Sequence, residues 1–96
     1  MESIRFEWDD SKANINQKKH GISFEEAKTV FSDENALLIA DPDHSSEEDR
    51  FIILGLSGYL QLLVVCHCYR ESDEVIRIIS ARKATKNETK QYGGTL

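Results

Sequence analysis

Three apolar stretches stand almost end to end in the second half of the chain: RFIILGLS (50–57), LQLLVVCHCYR (60–70) and EVIRIISAR (74–82). Each is rich in Val, Ile and Leu and short enough to be one strand. The joints between them, Gly58-Tyr59 and the Ser72-Asp73 region, suit tight turns. A parallel crossover needs a dozen or more residues, and no such length is present, so these strands must pair as antiparallel neighbours. A meander of this kind cannot bury both its faces alone. Whatever else the chain forms has to cover it.

The first half supplies the cover. IRFEW (4–8) alternates and reads as a short strand. In DDSKANINQKKHG, Asp9 or Asp10 can cap a helix, Lys18, Lys19 and His20 fall in its last turn, and Gly21 stops it. Ser23 with Glu26 three residues on has the form of a capping box. Phe24, Ala27, Val30 and Phe31 then give a second helix one apolar side. ALLIADPD reads as a strand ended by Pro42, HSSEED as a polar loop, and KATKNETKQY as a terminal helix ending at Gly93-Gly94. The expected order is β-α-α-β-β-β-β-α. The fold class is α+β, with an antiparallel sheet and helices on one of its faces, in a single domain over residues 1–96.

Composition narrows the setting. The longest apolar run, LQLLVV, cannot span a bilayer, and MESIRFEWDD lacks the basic-then-apolar layout of a signal peptide. The expected location is the cytoplasm, with no membrane partner. Cys66 and Cys68 are too close in sequence for a ready disulfide, and with three scattered His they make no zinc spacing; no metal or cofactor is expected.

The net charge of −5 weighs against nucleic acid only as a total. Residues 1–50 carry −7 and residues 51–96 carry +2, and between Arg82 and Tyr92 four cations face one Glu. Screening limits electrostatic reach to roughly 8–10 Å, so a local cationic face outweighs the sum.

On strict alternation His67 and Tyr69 share one face of their strand, and Cys66, Cys68 and Arg70 the other. In the last strand, alternation puts Arg77 on one face and Ser80 and Arg82 on the opposite one. Arg77 lies between Ile76 and Ile78, so it needs a carboxylate partner, a wet face or an anionic ligand. Arg70, Arg77 and Arg82 offer forked donors to phosphate, His20 or His67 a proton carrier, and Tyr69 or Tyr92 a stacking ring. That set suffices for RNA cleavage without a metal. Each residue also has an ordinary structural reading: an ion pair for Arg77, a satisfied core imidazole for His67, a helix C-terminus for Lys19, a wet helix face for Lys83, Lys86 and Lys90.

FEWDDSKANINQKKHGISFEEAKTVFSD, DRFIILGLS and RIISARKATKNETKQY, in that order, resemble the BrnT family, toxins of bacterial type II toxin–antitoxin modules. The resemblance spans about residues 4–92. It implies a fold similar to the RelE class of small ribonucleases and metal-independent RNA cleavage that blocks translation. It also implies a BrnA-like ribbon-helix-helix antitoxin as partner, operator DNA bound only through the toxin–antitoxin complex, and a homodimer or a heterotetramer with the antitoxin. Carried over by position, it points to Lys19, His20, His67, Arg70, Arg77, Arg82 and Tyr92. Together with the residue reading, the expected catalytic set is Lys19, His20, His67, Arg70, Arg77 and Arg82 and the expected RNA-binding set Tyr69, Lys83, Lys86 and Tyr92, with the base among Lys19, His20 and His67 left open. Where many relatives have a Gly-Arg pair, this chain has Tyr59-Leu60. The competing reading is a catalytically weak or inactive toxin homologue that serves as a binding module in an autorepressing toxin–antitoxin complex.

Overall fold

The computed structural model describes residues 4–40, 50–71 and 74–93. Pro42, the HSSEED stretch, the Ser72-Asp73 turn and Gly94 lie outside them. The elements are β1 (Arg5–Glu7), α1 (Asp10–His20), α2 (Phe24–Thr29) with a 3-10 turn at Val30–Ser32, β2 (Leu37–Ala40), β3 (Arg50–Leu56), β4 (Leu62–Arg70), β5 (Val75–Lys83) and α3 (Lys86–Gly93). This is the expected order. The α+β class holds, with one five-stranded sheet in the order β1-β5-β4-β3-β2.

Strands β2 to β5 pair antiparallel, as their short joints require. β1 is the exception. It runs parallel to β5, with Phe6 opposite Ile76 and Glu7 opposite Arg77, so the sheet is mixed. The long helical excursion between β1 and the meander permits this pairing.

One sheet face is the core. Ile53, Leu63, Val65, Ile78 and Ala81 pack there against Ile22, Phe24, Ala27 and Val30 from the α2 region, with Phe6, Trp8 and Phe31 at the margin. Burying each large apolar side chain contributes about 1.5–3 kcal/mol. Gly55 is required where the 3-10 turn crosses β3: a Cβ there would stand 2.8 Å from Val30 Cγ1 and 2.9 Å from the Ala36 Cβ. The helices do not all share this face. α3 packs on the other side, where Arg82 reaches Glu88 and Leu54 and Val64 are buried.

Helix α1 has no apolar stripe: Ile15 is exposed, only Ala13 packs against the core, and its one buried residue is Asn16. Apolar burial alone therefore does not dock it. The Asn16 amide donates to the carbonyls of Ile22 (3.0 Å) and Ala81 (2.9 Å), and its oxygen accepts from Ala81 N–H (3.0 Å). Asn16 thus takes the place of a strand along the edge of β5 that β1 is too short to cover. Asp9 caps α1 by accepting from Lys12 N–H, and Gly21 ends it at φ +74°, a left-handed conformation that suits glycine.

Only half of the Ser23–Glu26 capping box forms. Ser23 Oγ accepts from Glu26 N–H at 3.1 Å. The Glu26 carboxylate instead turns inward and accepts from Ser57 Oγ (2.7 Å) and Gln61 Nε2 (2.8 Å), tying the β3–β4 turn to α2. A complete box occurs where none was expected: Thr85 Oγ1 accepts from Glu88 N–H, and Glu88 accepts from Thr85 N–H.

Candidate active site

Strand register sorts the polar residues into rows across the sheet face opposite the core. Arg50, Cys68, Arg77 and Glu7 form one row on β3, β4, β5 and β1. Arg70, Val75 and Arg5 form the next. The Glu7 carboxylate sits between two guanidiniums, 2.8 Å from Arg77 Nη1 and 3.6 Å from Arg70 Nε. So Arg77 meets its desolvation cost with a carboxylate and also keeps a wet side, with its side chain 32% exposed.

The register of β5 slips by one residue. Cys66 pairs with Ser80 but His67 pairs with Ile78, which leaves Ile79 as an extra residue, a β-bulge. Alternation is broken there. Ser80 and Arg82 land on the same face as Arg77, not on the opposite one. Bulges leave little trace in a single sequence, so strict counting misassigned them.

Beside the bulge lies a cleft of about 200 Å³ between α1 and β5, lined by Lys12, Asn16, Lys19, His20, Ile79 and Ser80 among others. The last turn of α1, which ends at Gly21, delivers Lys19 and His20; Asn16 holds that turn against Ala81. Ser80 belongs to both regions: it lines the cleft and stands on the Arg77 face, next to Cys66. An imidazole, two ammonium groups and a hydroxyl therefore adjoin a face bearing Arg70 and Arg77. Such a set can hold a phosphodiester and move protons beside it.

His67 lies elsewhere. Its ring is fully buried on the core face, edge-on to Phe31 at 4.8 Å and Tyr69 at 5.3 Å, with Phe51 at 6.2 Å. Its Nδ1 lies 3.2 Å from the Val65 carbonyl, which can only accept, so Nδ1 carries the proton and Nε2 accepts from the Tyr69 hydroxyl at 3.4 Å. Burial lowers the pKa of the ring, and the Val65 bond offsets this only in part. Tyr69 packs into the same aromatic group, against Phe51 at 5.4 Å.

Arg82, Lys86 and Tyr92 gather round α3, while Lys83 pairs with Leu63 on the core face of the sheet. Arg82 makes a forked pair with Glu88 at 2.9 and 3.0 Å, which raises the arginine's pKa and pulls the Glu88 carboxyl down to about 2. Lys83 and Lys86 are exposed on either side of the helix start. The Tyr92 hydroxyl donates to Asp33 at 2.6 Å, and that bond raises its pKa. Burial pushes the Asp33 carboxyl up, but hydrogen bonds from Leu56 N–H, Tyr92 and Asn35 N–H outweigh it and leave the pKa lowered. Asn16, Asp33 and Ser80 escaped the sequence reading because small polar residues in helices, turns and strands usually signal nothing. Neither cysteine is in a disulfide. Among the described residues, no three His, Cys, Asp or Glu side chains gather to hold a metal, and no helix is long and apolar enough to cross a membrane.

Comparison with known proteins bears on this arrangement. The family described as "Ribonuclease toxin, BrnT, of type II toxin-antitoxin system" matches residues 8–88. The crystal structure of the Brucella abortus ribonuclease toxin BrnT is similar, with a TM-score of 0.63 and 23% identity, covering 88% of this chain and all of that one. At that identity the likeness establishes the fold. No curated protein sequence matches.

Proposed function

Because the chain belongs to the BrnT family of ribonuclease toxins of type II toxin–antitoxin systems, we propose that it cleaves RNA without a bound metal at the junction of the α1–β5 cleft and the open sheet face. The observation that carries this reading is Ser80, which joins the Lys12, Lys19 and His20 cleft to the face of Arg70 and Arg77. An RNA strand lies across the arginine rows, with one phosphate at Ser80. His20 exchanges the protons. Lys19 and Arg77 stabilise the charge that builds on phosphorus-bound oxygen.

In the proposed reaction the 2′-oxygen attacks phosphorus and the bond to the 5′-oxygen breaks. The 2′ proton leaves to a base, and the 5′-oxygen gains one from an acid. The products are a 2′,3′-cyclic phosphate and a 5′-hydroxyl. His67 takes no part in this scheme, because the ring has no access to solvent. Glu7 orients Arg77 and Arg70. Arg82 anchors α3, and Lys83 and Lys86 add long-range attraction for the RNA backbone.

In the cell, translation stops when messages are cut. A BrnA-like ribbon-helix-helix antitoxin neutralises the toxin in the cytoplasm, and operator DNA is bound through their complex. The test is cleavage of a defined RNA by the purified toxin in excess chelator. Cyclic-phosphate ends are expected, with activity reduced by about 10²–10³-fold in Arg77→Ala, the scale of removing one charge-stabilising donor. Abolition by the chelator, or full activity in the folded variant, would overturn the scheme.

One observation favours the second reading, an inactive binding module: Glu7 already occupies Arg77 and stands near Arg70. That reading predicts antitoxin binding without cleavage of any RNA by the wild type.

A further inference from the structure

The two outer edges of the sheet are treated differently. At one, β1 carries Arg5 and Glu7, each in an ion pair, and α1 continues the cover through Asn16. The other edge is β2, Leu37–Ala40, which among the described residues pairs only with β3. About half of the backbone N–H and C=O groups of an outer strand point away from the sheet. Folded proteins usually protect such an edge with charge, proline or a covering segment. β2 has the sequence LLIA, with no charge, and Leu38 and Ile39 are 52% and 53% exposed, one on each sheet face.

The charge of the sequence on either side of β2 indicates what it fits. Residues 33–49 contain seven Asp or Glu and no Lys or Arg. A second copy of this chain pairing at β2 would set one strand flanked in sequence by acidic residues against another, which electrostatic repulsion opposes. A basic partner gains from the same feature. We infer that β2 is the anchor for the antitoxin, which adds an extended segment to this edge, apolar at its centre against Leu38 and Ile39 and bearing Lys or Arg at its ends. The inference rests on the family reading, which supplies a protein partner. β2 is at the far side of the sheet from β5 and the cleft, so this segment fastens the antitoxin and leaves the remainder of it to cover the RNA site.

The experiment uses the full-length toxin and its cognate antitoxin. Affinity is measured by calorimetry at two salt concentrations, and amide hydrogen exchange is followed with and without antitoxin. The wild type should bind, with slower exchange in 37–40 and weaker binding at high salt. Leu38→Arg and Ile39→Arg should each raise Kd at least tenfold while RNA cleavage by the free toxin stays unchanged. Since exchange is read on the wild type, a misfolded variant does not blunt the test. Wild-type binding that leaves 37–40 unprotected places the antitoxin elsewhere and overturns the inference alone. Protection that appears on concentrating the toxin by itself makes the occupant a second copy and also overturns it. A wild-type toxin that binds no antitoxin removes the family reading of the partner, and this inference with it.

Discussion

His20 and His67 carry the same ring in two settings, one in the cleft at the β5 edge and one under the core face of the sheet. His67 has no solvent exposure, four aromatic or carbonyl neighbours and a pKa lowered by burial. His20 lines an open cleft beside Lys19 and Ser80. The core ring is held by packing and stays neutral. The cleft ring can meet a substrate. Chemistry at the level of residue type does not distinguish them; access does, and access is decided by which element covers which face.

The sharpest way to break this comparison is to remove each ring in turn. His20→Ala should slow RNA cleavage by about 10²–10⁴-fold, the usual worth of a positioned proton carrier, with the unfolding midpoint in urea unchanged. His67→Ala should do the reverse. It leaves a cavity among Phe31, Phe51 and Tyr69 and costs about 2–4 kcal/mol of stability. Cleavage per folded molecule should stay at the wild-type level. If the two variants exchange these phenotypes, the site belongs under the aromatic cluster and the cleft is incidental.

Asn16 sharpens the same contrast, since the cleft exists only while α1 stays against β5. Asn16→Ala leaves the buried Ala81 N–H and two carbonyls without their partner. The expected loss is about 2–3 kcal/mol, together with faster amide exchange at Ala81. Cleavage should fall even at temperatures where the variant is fully folded, because Lys19 and His20 ride on the loosened turn. Unchanged exchange at Ala81 would show that apolar contacts dock α1.

Much of the fold was legible because the meander left so few choices: short joints between apolar strands dictate antiparallel neighbours. Glycine and cap residues placed the helix ends for the same local reason. The parallel pairing of β1 was not legible, since a three-residue strand records its neighbour nowhere in its own sequence. In the site, Lys19 and His20 could be read together because they are adjacent on one helical turn. The grouping of Ser80 and Arg82 with Arg77 could not, because one extra residue at Ile79 inverts the alternation beyond it. Nor does Tyr92 announce that its hydroxyl is held by a carboxylate 59 residues away.

The smallest effect separates the two faces by pH. His67 has a lowered folded pKa, so the unfolded chain binds the extra proton first; its share of stability is full above about 6.5 and is lost as pH falls below that value. Glu88, on the other face, is drawn from 4.5 to about 2 by Arg82. Its share is full above 4.5 and is lost only as pH falls toward 2. Urea unfolding followed from pH 7.5 to 2.5 should therefore begin to decline near 6.5 and decline further below 4.5. His67→Phe should erase the first and leave the second. Glu88→Gln should shrink the second and leave the part carried by Asp33, at a cost near neutrality of about 1 kcal/mol, because the Arg82 side chain is 41% exposed and solvent screens the pair. A decline that is unchanged in both variants would mean that neither group is held as the two faces imply, and that the contrast between a sealed side and an open one does not govern how this protein responds to acid.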